Sequence, residues 1–346
     1  MTCVLFLLEY FLEKWGNRKH MYYFLVNPAS RSGQGIRDWE RIRAVLEERK
    51  VPYQVRFSAK AGDMAHFAEE ASVDAAKEDS CVHLVVLGGD GAVNEALQGI
   101  RNPDRIRFSN IPTGSGNDLA RDIGISRRPL KALVHLLDSP KERRMDMGIL
   151  HYHTAFLPEG KTFRKVSLPD RRFLVSSGIG FDAAVCQQAM ASPFKNVLNR
   201  LGLGKLTYLG IALKLLARPG RAQARLWLDG NEDAPRKVSL NRLLFIACMS
   251  HCYEGGGFYF CPYADDGDGI LDLCTVDNVP VWKILLVLPT AFFGKHYRYH
   301  GVERHAAGKI RIRTSRPLWV HTDGEVAAMS DDISIRCCRK FLAFYF

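Results

Sequence analysis

The chain has 346 residues, 47% hydrophobic and 25% charged, which excludes a disordered or low-complexity protein and supplies material for two cores. Its 48 Lys and Arg against 37 Asp and Glu leave a net charge of +11, which favours an anionic partner: a nucleotide, nucleic acid or an acidic membrane surface. No zinc-finger spacing or recognisable nucleic-acid module is present, so no nucleic-acid partner is expected, and nine cysteines without a Cys-x-x-Cys pair point to a reducing cytoplasm.

In chain order, Val4–Leu8 is apolar but too short to span a bilayer, and Glu9 and Glu13 interrupt the run beyond it. Residues 1–20 read either as an interfacial helix or as an extension ahead of a true start at Met21. From Met21 to about Met145 strands alternate with helices, the pattern of a mostly parallel sheet covered on both faces. Strand Tyr22–Val26 runs into Asn27-Pro28…Ser32-Gly33-Gln34-Gly35 and a helix through Trp39 and Leu46. Strand Val51–Phe57 is followed by Ser58, a helix N-cap or a ligand contact, and by a helix over Met64–Ala76 whose His66 falls on the polar side.

The stretch Leu84–Leu87 is a buried-strand pattern that breaks into Gly88-Gly89-Asp90-Gly91 and resumes as a helix at Ala92, with Asn94 and Glu95 in its first turns. A strand feeding a glycine turn and a helix N-terminus holds phosphate through free N–H groups and the helix dipole. Asp90 would repel phosphate unless a metal ion lay between them; the plain alternative is a tight turn with Asp90 capping the helix. The same design recurs after strand Ile106–Ile111, in Thr113-Gly114-Ser115-Gly116-Asn117-Asp118, so three such turns would line the carboxyl edge of one sheet.

Beyond Arg143-Arg144-Met145-Asp146, short strand-like runs (Phe173–Ser176, Ala224–Leu228, Leu243–Met249, Leu271–Val276, Lys309–Arg313 and Leu318–His321) read as an antiparallel sandwich or barrel. A helical insert over Ala183–Leu216 and an apolar helix over Val281–Phe293 interrupt them. Three clusters stand out: Gly178-Ile179-Gly180-Phe181-Asp182-Ala183, Gly255-Gly256-Gly257…Asp265-Asp266-Gly267-Asp268-Gly269, and His321-Thr322-Asp323-Gly324-Glu325. Taken singly they are turns and helix caps, and the second lacks the terminal Glu of a calcium loop.

Together these motifs resemble the diacylglycerol kinase catalytic-domain family, which includes sphingosine and ceramide kinases and bacterial soluble lipid kinases, from about Tyr22 to Glu325. One departure is Ala92, where the family usually carries Thr after Gly-Gly-Asp-Gly. The resemblance implies an α/β N-terminal domain, Rossmann-like as in NAD kinase and diacylglycerol kinase, over 21–145, and a β-sandwich lipid-substrate domain over 146–346. It implies an ATP- and Mg²⁺-dependent kinase acting on a lipid hydroxyl, most simply diacylglycerol, with the nucleotide in a crevice between the domains. Asn27, Pro28, Ser32, Gly33, Gly35, Ser58, Gly88, Gly89, Gly91, Asn94, Glu95, Thr113 through Asp118, Asp323 and Glu325 would serve the nucleotide. Asp90 and Asp146 would organise magnesium, and Asp268 would be the base, with Asp90 the alternative base as in sphingosine kinases. The partners would be ATP and a lipid at an anionic membrane surface, reached from the cytoplasm without a transmembrane segment, with a homodimer left open. An NAD kinase-like soluble enzyme and a catalytically silent lipid-binding module are the alternatives.

Overall fold

A computed structural model describes residues 21–160, 162–191, 204–217, 220–229 and 235–346. The extension over residues 1–20 and the middle of the helical insert lie outside the described residues. The chain forms two compact units: residues 1–113, 125–144 and 342–346, and residues 114–124 with 145–341. A single boundary after residue 145 does not describe them, because segment 114–124 counts with the second unit and the C-terminal five residues with the first.

In the first unit, β1 (Tyr22–Val26), α1 (Ser30–Glu48), β2 (Tyr53–Phe57), α2 (Asp63–Lys77), β3 (Val82–Gly88), α3 (Asp90–Gly99) and β4 (Ile106–Pro112) alternate as the sequence pattern requires. Short helix α4 (Asp118–Asp122) belongs to segment 114–124, and α5 (Pro129–Asp138) is again part of the first unit. The four strands are parallel in the order β4-β3-β1-β2. The chain leaves β1 for β2 on one side and returns to β3 on the other, so the strand order reverses at β1/β3, the place where open α/β sheets bind ligands. Phe24, Val26, Val85, Leu87 and Ile111 from the sheet pack with Trp39, Ile42 and Leu46 of α1 and with Leu133 and Leu136 of α5. The continuous apolar strands thus reflect burial on both faces.

The second unit begins its own strands with β5 (Glu142–Tyr152), from residue 145 on, then β6 (Ala155–Glu159), β7 (Thr162–Val166), β8 (Arg171–Phe173) and β9 (Ser176–Gly180). Helix α6 (Phe181–Ala191) follows β9 directly, and α7 (Gly204–Leu216) precedes β10 (Ala222–Leu228). Strands β10, β11 (Arg236–Met249), β12 (Leu271–Asp277), β13 (Val302–Ala307), β14 (Lys309–Thr322) and β15 (Glu325–Tyr345) pair antiparallel, with helix α8 (Val281–Ala291) between β12 and β13. Two runs expected as separate strands, Lys309–Arg313 and Leu318–His321, are one strand with an irregularity between Arg313 and Leu318. Strands β6, β7 and β13 and the 21-residue β15 were not anticipated; their polar alternation hides them from a search for apolar runs. Residues Ala343 and Phe344, at the end of β15, add in parallel to β4 within the first unit.

Fully buried β9 lies between two partners, its Gly178 opposite Ala247 of β11 on one side and His321 of β14 on the other. That placement organises the chemistry of the second unit.

Candidate active site

In the first unit the four strand ends meet as neighbours. The Asn27 N–H donates to Leu87 O at 3.0 Å, the Thr113 N–H to Gly88 O at 3.0 Å, and the Ser58 N–H to Val26 O at 3.0 Å. The Ser30 and Thr113 hydroxyls share a hydrogen bond of 2.9 Å, and Asn27 Oδ1 accepts the Ala29 N–H, closing the Asn-Pro turn. Ser32 lies in α1, and Gly33 holds φ +93°, a conformation that favours glycine. A Cβ on Gly35 would fall 2.2 Å from Asn27 O and 2.5 Å from Ser30 Oγ, so the turn can fold over the helix only with glycine there.

At the signature turn Gly89 is extended and α3 starts at Asp90. The first intrahelical bond runs from Val93 N–H to Gly89 O, so the N–H groups of Gly91 and Ala92 precede the bonded ladder, as an anion site requires. A Cβ on Gly88 would lie 2.4 Å from the Ala92 Cβ, which shows how tightly the departure at position 92 is packed. Asn94 is fully buried, its carbonyl and side-chain oxygens both accepting from the Gln98 amide. Glu95 Oε1 accepts the Gly62 and Met64 N–H groups at 2.6 and 3.1 Å. Glu95 therefore caps α2, a structural use of a carboxylate expected at the nucleotide.

The third turn continues into the second unit. Asn117, at φ +54°, bonds Gly114 through both its amide atoms, closing the turn around Ser115 and Gly116. Asp118, at the start of α4, accepts the Gly256 N–H at 2.8 Å and pairs with Arg121 at 3.3 Å. Asp122 Oδ2 takes His251 Nδ1 at 2.6 Å, and the Arg121 guanidinium lies over the Tyr253 ring. The third turn and the Gly255–Gly257 loop thus form one hydrogen-bonded assembly.

A second assembly was not foreseen from the sequence. His321, fully buried, sets Nε2 3.2 Å from Asp182 Oδ2 and 3.3 Å from Glu254 Oε1, and the Ser176 hydroxyl donates to Glu254 at 2.5 Å. Burial pushes Glu254 up to about 7. Burial alone would lower the His321 ring, but Glu254 and Asp182 outweigh it and raise the ring to about 9. The Gly324 N–H lies 3.2 Å from His321 Nδ1, a nitrogen that accepts only in the neutral ring with its proton on Nε2. Gly178 makes the assembly possible: a Cβ there would stand 1.9 Å from Asp182 Oδ2 and 2.3 Å from His321 Nε2. The signal in the sequence was the glycine spacing of Gly178-Ile179-Gly180, legible only as a turn.

Of Asp146, Asp268, Asp323 and Glu325, all carried over from the resemblance, the three aspartates accept backbone N–H groups. Asp323, at φ +48° in the tight turn with Gly324, accepts the Leu174, Val175 and Ser176 N–H groups at 3.1, 2.8 and 3.0 Å. It anchors the start of β9, while Glu325 opens β15 partly exposed. Asp146 has no exposed surface; Oδ2 accepts the Gly269 N–H at 2.5 Å and Oδ1 the Lys340 N–H at 2.6 Å. Each oxygen is committed to a backbone N–H, which suits fixing the Asp265–Gly269 loop better than holding an ion. Asp268, on that loop, accepts the Ile270 N–H at 2.8 Å; partial burial, then the nearby Asp265 and Asp146, push its carboxyl up.

No group of three or more His, Cys, Asp or Glu side chains is arranged to hold a metal among the described residues. Magnesium does not need one: it takes one or two carboxylates and completes its shell with phosphate oxygens and water. Partly exposed Asp90, beside the helix terminus, fits that requirement; buried Asp146 does not. The depression of about 460 Å³ bounded by His151, Trp227, Lys309 and Arg311 contains none of the motif residues.

An α/β domain whose glycine turns and helix N-terminus suit an anion is followed by a β-rich domain carrying buried acids. Residues 21–150 match the diacylglycerol kinase catalytic domain, and residues 174–338 match the YegS C-terminal NAD kinase beta sandwich-like domain. The chain belongs to the diacylglycerol kinase catalytic-domain family and is a lipid kinase. It is 28% identical to the Bacillus subtilis protein YtlR over 309 residues, 88% of this chain and 93% of that one. It is also 28% identical to a Mycobacterium tuberculosis diacylglycerol kinase over 303 residues, 88% of each chain. A crystal structure of a Bacillus anthracis diacylglycerol kinase superposes with a TM-score of 0.62 at 16% identity, covering 94% of this chain and 96% of that one, which shows the shared fold. No helix of the described residues is long and apolar enough to cross a membrane.

Proposed function

We propose that the protein transfers the γ-phosphoryl group of ATP to the free hydroxyl of diacylglycerol, giving phosphatidic acid. The observation that carries the nucleotide part is the meeting of the Asn27, Gly88 and Thr113 turns at the β1/β3 switch point, with Gly35 held against Asn27. The acceptor follows the name of the Mycobacterium tuberculosis relative, similar along 88% of both chains.

The N–H groups of Gly91 and Ala92 bind phosphate oxygens without the hydroxyl that position 92 lacks. Magnesium, when bound beside Asp90, would supply charge neutralisation across the β and γ oxygens. Asp268 takes the proton from the lipid hydroxyl as its oxygen bonds to the γ phosphorus and the bond to the β–γ bridging oxygen breaks, releasing ADP. A carboxyl pushed up by its surroundings suits that role, because the proton leaves a hydroxyl of high pKa only as the bond forms. Asp146 fixes the loop that carries this base.

The test is transfer of labelled phosphate from ATP to diacylglycerol, sphingosine, phosphatidylglycerol, undecaprenol and NAD, the lipids in mixed micelles, with Mg²⁺. Labelled phosphatidic acid is the expected product, and Asp268→Ala lowers its turnover by about 10²-fold or more. Label on NAD alone, or full activity in Asp268→Ala, refutes the corresponding part.

A further inference from the structure

Helix α8 has an apolar side left exposed by the described residues. Ile284, Val287 and Ala291 face inward, while Trp282 is 66% exposed, Leu286 62% and Phe293 73%, with Leu285 and Phe292 also exposed. These five are among thirteen exposed large hydrophobic residues in the described chain, so the exposure is concentrated within twelve positions. Residues 282, 285, 286 and 289 recur at helical spacing, making one stripe. A helix apolar on its outer side as well as on its buried one has a second apolar environment to meet.

The surrounding charge indicates which. Between Asn278 and Val302 there is no acidic residue, whereas Lys283, Lys295 and Arg298 are all present. Lys283 Nζ reaches His300 O at 3.2 Å, and Lys295 and Arg298 are exposed. An apolar stripe in a segment that carries cations and no acidic residue complements acidic headgroups above hydrocarbon, and the chain's net +11 adds to the attraction. Eleven residues rise only about 16 Å, roughly half the hydrocarbon thickness, so the helix lies on a bilayer and does not cross it.

We infer that the outer face of α8 and the turn after it, through Trp282, Leu286 and Phe293 with Lys295 and Arg298 following, docks the protein on an anionic bilayer. This rests on the lipid-kinase reading, in which the acceptor resides in a membrane. The face is tied to the chemistry of the second unit. The Tyr259 N–H donates to Ala291 O at 2.9 Å, and Phe292 stacks on Phe258 at 4.1 Å. The Phe258 and Glu254 backbones bond each other at 3.0 Å in both directions, and Glu254 is the partner of His321. A helix seated on the membrane is thus linked, through Tyr259 and Phe258, to the loop that carries Glu254.

The test sediments the full chain and its Leu286→Glu/Phe293→Glu variant with vesicles of phosphatidylcholine alone and with phosphatidylglycerol added. Turnover is measured on a bilayer-embedded long-chain diacylglycerol and on a monomeric short-chain one. The expected result is preference for the anionic vesicles, and a loss of roughly tenfold or more in binding and bilayer turnover in the variant. Short-chain turnover stays within about twofold, which also shows the variant is folded. Unchanged vesicle binding in the variant overturns the proposal, as does equal binding to neutral vesicles. A dimer that the variant converts to monomer, with vesicle binding unchanged, assigns the face to a second copy instead. If neither acceptor is phosphorylated by the unaltered protein, the acceptor reading fails while sedimentation still decides docking.

Discussion

Replacing Gly178 by alanine adds one methyl group where the structure leaves no room. The new Cβ would stand 1.9 Å from Asp182 Oδ2, 2.8 Å from its Cγ and 2.3 Å from His321 Nε2, each more than 0.5 Å inside normal contact. Neither neighbour can yield freely: His321 is fully buried beside the Gly324 N–H, and Asp182 sits in the first turn of α6. Overpacking of this kind costs about 1–3 kcal/mol. Separating His321 from Asp182 costs about 1.5–3 kcal/mol more as a charge-assisted bond. Alanine's lower chain entropy returns about 0.5–1 kcal/mol, leaving a net destabilisation of about 2–5 kcal/mol. Equilibrium urea unfolding of Gly178→Ala against the unaltered protein measures it. Gly210→Ala is the control, because a Cβ at that exposed position of α7 meets nothing within 4 Å, and it raises stability by about 0.5–1 kcal/mol. If Gly178→Ala unfolds within about 0.5 kcal/mol of the unaltered protein, the assembly is not packed as described and the reasoning fails.

The same assembly sets a pH dependence. Glu254 rises from 4.5 to about 7 and His321 from 6.5 to about 9, so the folded state holds protons more tightly than the unfolded one. Their stabilisation is complete below the ordinary values and is lost as pH climbs through about 7 and about 9. Calorimetry should show Tm falling from pH 6.5 to 9 and a flatter profile in Glu254→Gln; equal slopes would contradict the assignment. In the first unit, Gly35→Ala should raise the KM for ATP by roughly tenfold while circular dichroism stays unchanged, since its Cβ displaces the Asn27 turn. An unaltered KM would mean that the Asn-Pro turn does not touch the nucleotide.

Much of the first unit was legible because its instructions are local. Apolar runs long enough for buried strands alternate with helical periodicity, and Asn27-Pro28, Gly88-Gly89 and Gly114 mark turns through the backbone freedom their own residues supply. The second unit was less legible. Strands such as Thr162–Val166 and most of Glu325–Tyr345 alternate polar and apolar residues, so their pairing rests on partners distant in the chain.

The sequence by itself determined the αβ alternation, the three glycine turns and the identity of the acids available for chemistry. Only the tertiary structure decided what each acid does. A carboxylate that caps backbone N–H groups and one that faces a ligand are written with the same letter. Thus Glu95, Asp146 and Asp323 have oxygens engaged by the backbone at Gly62, Gly269 and Val175. His321 and Asp182, 139 residues apart, become partners only because β9 is sandwiched between β11 and β14 and Gly178 leaves space for both. Proximity of that kind is a property of strand pairing, which no local pattern encodes.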